Sequence, residues 1–358
     1  MSAASNFPWD SQRVQDRTRN LIAAGRSGSE IAKILTREFD AEPPITRDVV
    51  NSRIRQLRKD IANAAVVLPS ANPTPVFSAI MARPKAKHKP SLASLIRGLE
   101  RQDEVKALII SDTHGRMCDE AALAWAIELG ADADVIFVLG DITDWSSKSL
   151  KYPALTHVSG ESEIEGSART LAMLEATGKP VVCLFANHDA RPGRAFRALM
   201  PSEFLFLFED DLTTYIADRS SNIWTTGDFV RGWKLQFGDA LLAHGEVTGP
   251  GYGGPVAALF DVLRNRARDF SIRGELKAVF SGHFHFGSVS YRNEVALVNV
   301  PCLQETPDYS LTGQGAKYRL PTMIGAVTAS WRKGKIQPAS VSLAIYPRPE
   351  WASSKRVD

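Results

Sequence analysis

Five short runs hold most of the side chains able to do polar chemistry. They are Asp112-Thr113-His114, Gly140-Asp141-Ile142-Thr143-Asp144, Asn187-His188-Asp189, His244-Gly245-Glu246 and Gly282-His283-Phe284-His285. Five of the seven histidines fall in them; only His88 and His157 lie elsewhere. Imidazole with carboxylate, and no thiolate, suits Zn, Mn or Fe rather than a soft thiophilic metal. Asp-x-His and His-x-His set two side chains on one side of an extended backbone, because strand side chains repeat every second residue. One ion cannot readily use so many ligands, whereas two ions sharing a carboxylate can. Taken singly, each run reads as an ordinary turn; five in order do not.

Each run follows an apolar segment of strand type: Ala107–Ile110, Val135–Leu139, Val181–Phe185, Ala240–Ala243 and Lys277–Phe280. Helical patterns cover Asp119–Leu129, Gly166–Ala176 and Pro255–Phe270, and beyond Val289 the chain reads mainly as β, with Val295–Val300, Met323–Ser330 and Ile336–Ile345. In layered α/β sheets, ligands bind beyond the carboxyl ends of the strands. The pattern therefore delivers Asp, Asn and His to one sheet edge.

This ordered set resembles the calcineurin-like metallophosphoesterase family, whose pattern is D-x-H, G-D-x-x-D, G-N-H-[DE], H and G-H-x-H. The resemblance runs by motif from about Val105 to Gly287 and extends to about residue 345. It implies an α/β fold, a four-layer αββα sandwich over residues 105–350, and a dinuclear centre. One divalent ion would take Asp112, His114, Asp141 and His285; the other would take Asp141, Asn187, His244 and His283, with Asp141 bridging. The pair would be Mn²⁺ first, with Fe, Zn, Ni or Mg as alternatives. Ions about 3.5–4 Å apart clamp the attacking and leaving oxygens of an in-line displacement. His188 would protonate the leaving oxygen, and Asp144 would orient its ring.

Two positions depart from the family pattern. Ala186 stands where a glycine is usual, which removes no ligand. Trp145 stands where the protein Ser/Thr phosphatases of the family carry a phosphate-gripping arginine, which argues against that activity. Arg191 and Arg194 lie just beyond the third motif, as phosphate ligands or as surface charges. Trp145–Glu165 reads as an inserted loop, with His157 as an ordinary loop residue or a substrate contact.

The front of the chain is different. Ser27-Gly28-Ser29-Glu30 reads as a capping box opening a helix with Ile31, Ile34 and Leu35 on one face. Pro43-Pro44 interrupts it, and a second helix from Thr46 carries Val50, Ile54, Leu57 and Ile61 on one face. Its other side holds Asn51, Arg55 and neighbouring polar residues, flanked by Arg47, Arg53 and Arg58, the layout of a recognition helix that reads DNA. These residues resemble the helix-turn-helix of GcrA-type cell-cycle regulators. The resemblance implies a small all-α DNA-binding domain at 1–62, joined by a Pro/Lys-rich linker at 63–104. The prolines and lysines of 66–90 predict an extended, exposed tether. A helical bundle for protein contacts or oligomerisation is the alternative.

Charge supports the division. Residues 1–106 carry 18 Lys/Arg against 11 Asp/Glu, and residues 107–358 carry 25 against 29, so the net +3 of the 358-residue chain hides a basic front and a mildly acidic remainder. Three scattered cysteines, Cys118, Cys183 and Cys302, form no zinc-ribbon spacing and suit a reducing compartment. The start lacks the pattern of a signal peptide, and no apolar run is long enough to span a bilayer. The expectation is a cytoplasmic protein, bacterial or phage-encoded, with DNA as partner and no membrane.

Three functions stand on these observations: a two-metal phosphodiesterase brought to DNA by its front end, a hydrolase of small phosphate esters or nucleotides whose front end only localises or oligomerises it, and a DNA-binding regulator with an inactive enzyme domain. The last fares poorly, because no ligand position is lost.

Overall fold

Ala107 to Ile110 is apolar at every position, and a strand of that kind needs cover on both faces. The computed structural model describes residues 14, 28–39, 75–86, 89–145, 159–193, 211–227, 232–245, 254–265, 271–304 and 322–347. In chain order its elements begin with α1 (Gly28–Glu38), α2 (Val76–Met81), α3 (Leu92–Glu100), β1 (Glu104–Ile110), α4 (Glu120–Leu129) and β2 (Val135–Val138). There follow α5 (Gly160–Glu175), β3 (Val181–Cys183), α6 (Leu212–Ala217), β4 (Ile223–Thr225), β5 (Lys234–Phe237), β6 (Ala240–Ala243) and α7 (Gly254–Asn265). The last are β7 (Ala278–Ser281), β8 (Ser288–Arg292), β9 (Val295–Asn299), β10 (Gly325–Arg332), β11 (Lys335–Ile336) and β12 (Ser342–Ile345).

The fold is α/β. One sheet has the order β11-β10-β1-β2-β3-β4, with β12 also on β10; β1 to β4 are parallel and β10 runs antiparallel to β1. The other has the order β5-β6-β7-β9-β8, with β6, β7 and β9 parallel and antiparallel strands at both edges. Period-two alternation sorts the side chains into layers. Ala107 and Ile109 join Phe137, Val182, Leu242, Phe280, Val298 and Trp331 in a core between the sheets. Leu108 and Ile110 turn the other way, onto Leu123 and Ala126 of α4, Leu171 and Leu174 of α5 and Ile216 of α6. On the outer face of the second sheet, Leu241, Val279 and Leu297 meet Leu259 and Leu263 of α7. The layers therefore run helix, sheet, sheet, helix.

The tether expected over 66–90 is not extended where it is described. α2 and α3 are helical, with Ile80, Ile96 and Leu99 buried. The cause is a set of distant partners. The Glu165 carboxylate accepts from the first amides of α2, Val76 N at 2.8 Å and Phe77 N at 3.1 Å. Lys89 Nζ donates to the carbonyls of Ala217, Ser220 and Ile223, and Lys85 pairs with Asp218 at 2.7 Å. The lysines are thus held by acidic and carbonyl groups rather than driven apart.

Other boundaries differ for local reasons. α5 begins at Gly160, so the last residues of the expected loop Trp145–Glu165 are helical, and Glu161 in its first turn suits a helix N-terminus. The single segment expected over Ile336–Ile345 is split, because Pro338 opens a 3-10 turn between β11 and β12.

α1 belongs to a separate compact unit. Of the apolar face read from the sequence, Ile31 and Leu35 are at most 1% exposed and Ile34 is half-buried, while Ala32 is buried beside them. Ser27, the second helix from Thr46, and Arg47, Asn51, Arg53, Arg55 and Arg58 lie outside the described residues, as do His157 and Arg194. Cys118, Cys183 and Cys302 are free thiols. Among the described residues no helix is long and apolar enough to cross a membrane.

Candidate metal centre

The site forms where parallel strands of both sheets end. Beyond β1 and β2 the backbones stay in register, with Asp112 N donating to Gly140 O at 3.1 Å and His114 N to Asp141 O at 2.9 Å. β3 delivers Asn187 and His188, β6 delivers His244, and β7 delivers His283 and His285. The chain must bend sharply to aim these side chains inward. Asp112, His114, Asp141, His283 and His285 have φ of 53°, 50°, 51°, 81° and 57°, a left-handed region that non-glycine residues occupy at a cost. Gly140 has a φ of 93°, and a Cβ there would overlap that of Ala186 and sit 3.2 Å from His244 Nδ1.

All seven candidate ligands come together. His114 Nε2 lies 3.3 Å from His285 Nε2, which lies 3.2 Å from Asp112 Oδ1. Asp141 Oδ2 lies 3.9 Å from His114 Nε2 and 3.2 Å from His244 Nε2. His244 Nε2 is also 2.8 Å from Asn187 Oδ1 and 3.1 Å from His283 Nδ1. Three groupings can each hold a metal ion: Asp112 with His114 and His285, Asp141 with His244 and His283, and His114 with Asp141 and His188.

Two atoms show that this donor set fits divalent cations. Each carboxylate spends one oxygen on the protein: Asp112 Oδ2 accepts from His283 N at 2.9 Å and from Ser111 Oγ, and Asp141 Oδ1 accepts from His188 N at 2.9 Å. The other oxygens, Asp112 Oδ1 and Asp141 Oδ2, are buried without a hydrogen-bond partner. A buried carboxylate oxygen left unpaired is costly unless a cation meets it.

The electrostatics agree. Burial pushes the Asp112, Asp141 and Asp144 carboxyls up, but the facing histidines outweigh it and hold all three below the usual carboxylate range. Burial pulls His244 down, yet Asp141 and Asp112 raise it to about 9, and Asp112 and Asp144 likewise carry His114 well above its ordinary value. The carboxylates thus draw positive charge onto His114 and His244, while burial and the His244 charge hold His283 down at about 3.

This geometry accompanies a family match. The model of the calcineurin-like phosphoesterases matches residues 105–287, about half of the chain. The chain belongs to this family.

As a calcineurin-like phosphoesterase it is a metal-dependent hydrolase of phosphoric esters. An archaeal phosphodiesterase structure is similar at 14% identity, over 67% of this chain and 99% of that one, with a TM-score of 0.33. Vacuolar protein sorting 29 of Cryptosporidium parvum is similar at 13% identity over 69% and 100%, TM-score 0.32. A conserved Streptococcus pneumoniae protein described as a predicted phosphoesterase is similar at 12% over 68% and 99%, TM-score 0.29. No curated protein matches the chain.

Around the phosphoesterase centre lie contacts that the motifs did not reveal. Asp144 Oδ1 is 3.0 Å from His188 Nδ1 and also 3.1 Å from His114 Nδ1, so one oxygen holds two imidazoles. Gln304 Nε2 is 2.7 Å from His285 Nδ1. His244 Nδ1 donates to Leu139 O at 2.8 Å. The Asp189 carboxylate ties two motif loops together, accepting from Asp141 N, Thr143 N, Thr143 Oγ1 and Ala186 N at 2.7–3.2 Å. Asp189 was visible as the last residue of the third motif; Gln304 carried no sequence signal.

Arg191 is no surface charge: its side chain is 16% exposed, with Nη1 donating to Asp144 O at 2.8 Å and Nη2 lying 2.7 Å from His188 Nε2. His188 thus has Nδ1 on Asp144 and Nε2 against a guanidinium. Burial, helped by His114 and Arg191, holds His188 below its ordinary value despite Asp141 and Asp144.

Proposed function

We propose a dinuclear phosphodiesterase that acts on DNA. Asp112, His114, Asp141 and His285 would hold one ion, and Asp141, Asn187, His244 and His283 would hold the other. The observation that carries the dinuclear reading is Asp141 Oδ2, buried, without a hydrogen bond and facing His114 on one side and His244 on the other. Divalent ions, Mn²⁺ first and Fe, Zn, Ni or Mg as alternatives, would acidify water and neutralise charge on the phosphoryl oxygens.

The protein's own groups do the rest. Asp144 fixes the His188 ring through Nδ1, leaving Nε2 as the atom that gives a proton to the departing oxygen. For that step Arg191 must leave Nε2, and a phosphoryl oxygen is the natural acceptor for the released guanidinium. Substrate arrival then draws the guanidinium onto the phosphate and bares the Nε2 lone pair, which takes a proton from water and passes it to the departing oxygen.

DNA as substrate is supported by the basic front end, with 18 Lys/Arg against 11 Asp/Glu over residues 1–106, and by the apolar face of α1 that suits a helix-turn-helix. The work of that module, through Arg47, Asn51, Arg53, Arg55 and Arg58, is to raise the local concentration of substrate. A cytoplasmic setting, with the protein encoded by a bacterium or a phage, fits this reading. A second reading, a phosphatase of small esters or nucleotides, draws on Arg191, since a partly buried guanidinium suits the extra charge of a monoester.

The full-length protein with Mn²⁺, given chromogenic phosphodiester and monoester substrates, separates the two. Faster diester hydrolysis, with salt-sensitive cleavage of plasmid, linear or single-stranded DNA, supports the first. A strong monoester preference with intact DNA supports the second.

A further inference from the structure

We propose that Gln304 is a positioning residue for His285, a two-way amide that holds this imidazole both without and with a cation. The inference rests on the dinuclear reading and extends it to a residue outside all five motifs.

Gln304 is fully buried, and its backbone is fixed against the strand end that carries Asp112. Leu303 N donates to Asp112 O at 3.3 Å, Asp119 N donates to Leu303 O at 2.8 Å, and bridges join Ser111 to Cys302 and Cys118 to Gln304. From this platform the amide reaches His285, with Nε2 at 2.7 Å from Nδ1 and 3.2 Å from the ring's Nε2. Its Oε1 is buried and has no partner.

His285 turns its Nε2 inward, 3.2 Å from Asp112 Oδ1 and 3.3 Å from His114 Nε2. A neutral imidazole has one N–H and one lone pair. If Nε2 gives its lone pair to a cation, the proton sits on Nδ1 and needs an acceptor. Nδ1 faces the Gln304 amide. As described, the amide nitrogen donates to Nδ1, which suits the tautomer with its proton on Nε2. A half-turn of the terminal amide puts Oε1 in place of the nitrogen with no backbone movement, and Oε1 then accepts from Nδ1–H. An amide can serve both states because its two ends are nearly the same size and opposite in hydrogen-bonding sense. Outer partners of this kind fix the tautomer and ring orientation of metal-binding histidines.

The test is calorimetric titration of the metal-free, full-length protein with Mn²⁺, comparing wild type with Gln304→Leu, Gln304→Met and Gln304→Glu. Wild type should bind two equivalents. Removing the acceptor, with Leu or Met, should weaken one equivalent by about 10–100-fold and leave the other unchanged. Glu keeps an acceptor oxygen at the same length and should retain both. Two apolar variants guard against one that fails to fold, and thermal melts of the metal-free proteins check this. A merely structural role would lower the melting temperature without weakening one equivalent selectively. The proposal is overturned if either apolar variant binds both ions as tightly as wild type, or if Glu loses the same ion as Leu. Wild type binding fewer than two equivalents would instead overturn the dinuclear reading.

Discussion

The two halves of the metal centre are held in different ways. Around Asp112, His114 and His285, the outer nitrogens of both histidines rest on side chains: His114 Nδ1 on Asp144 and His285 Nδ1 on Gln304. Around Asn187, His244 and His283, the outer nitrogen of His244 rests on a backbone carbonyl, Leu139 O, at the end of β2. A side-chain holder can be exchanged by point mutation without touching the sheet, whereas a carbonyl holder moves only when the backbone does. The first half is therefore adjustable, and the second is fixed by the fold. The adjustable half also shares its holder with the proposed acid, since Asp144 Oδ1 reaches His188 as well.

The largest test strikes what the halves share. Asp141→Asn removes the charge whose Oδ2, without a hydrogen bond, faces both, and turnover should fall to background with neither Mn²⁺ equivalent bound normally. If one equivalent survived untouched, the shared carboxylate would be the wrong assignment. Next comes Asp144→Asn, which should weaken one ion about 10–100-fold and also slow turnover by about 10²–10⁴. His188→Ala should match the rate loss with a poor leaving group yet keep both ions. Equal metal affinities in Asp144→Asn and wild type would show that Asp144 serves the acid alone. The second half yields only through its backbone. Gly140→Ala places a methyl against Ala186 and His244 at a φ of 93°, so it should cost roughly 1–3 kcal/mol of stability and weaken the ion on the His244 side more than the other. Thermal melts and the same titration read both effects.

The same contrast explains what the sequence discloses. Ala107–Ile110 was legible as a buried strand because it is apolar on both faces, and the ligands were legible because their residue types recur at strand ends. Lys234–Phe237, a four-residue edge strand of mixed character, offers too few positions for a period to show. Asp144 was readable as a partner of His188, but its second bond joins residues 30 apart in the chain and depends on the left-handed turns at Asp141 and His114. Gln304 meets His285 only because the segment after β9 is tied to β1. Likewise the helix at Val76 depends on Glu165, 89 residues away, so local composition read it as tether. Backbone-held features are thus legible through strand patterns, and side-chain holders are hidden by distance along the chain.

The smallest effect comes from behind the adjustable half. Glu163 is fully buried on α5, with neither carboxylate oxygen hydrogen-bonded; the guanidinium of Arg116 forms a loose ion pair with it at 3.7 Å. Burial first, and the Asp144 charge second, raise its carboxyl from 4.5 to about 7. The folded metal-free chain therefore holds a proton that the unfolded chain has released between about pH 4.5 and pH 7, and the contribution of this group to stability falls as pH rises through that window. Glu163→Gln lacks that titration, so its stability relative to wild type should improve by roughly 1–3 kcal/mol from pH 4.5 to pH 8. Denaturant midpoints across the range measure it, and parallel profiles would show that Glu163 is ionised throughout. Because Asp144 contributes to the shift and touches His114, a cation on that side should offset its charge, lower the Glu163 carboxyl and flatten the slope at saturating Mn²⁺. A cation confined to the His244 side should do so much less, which makes this weak stability signal a reporter of which half has filled.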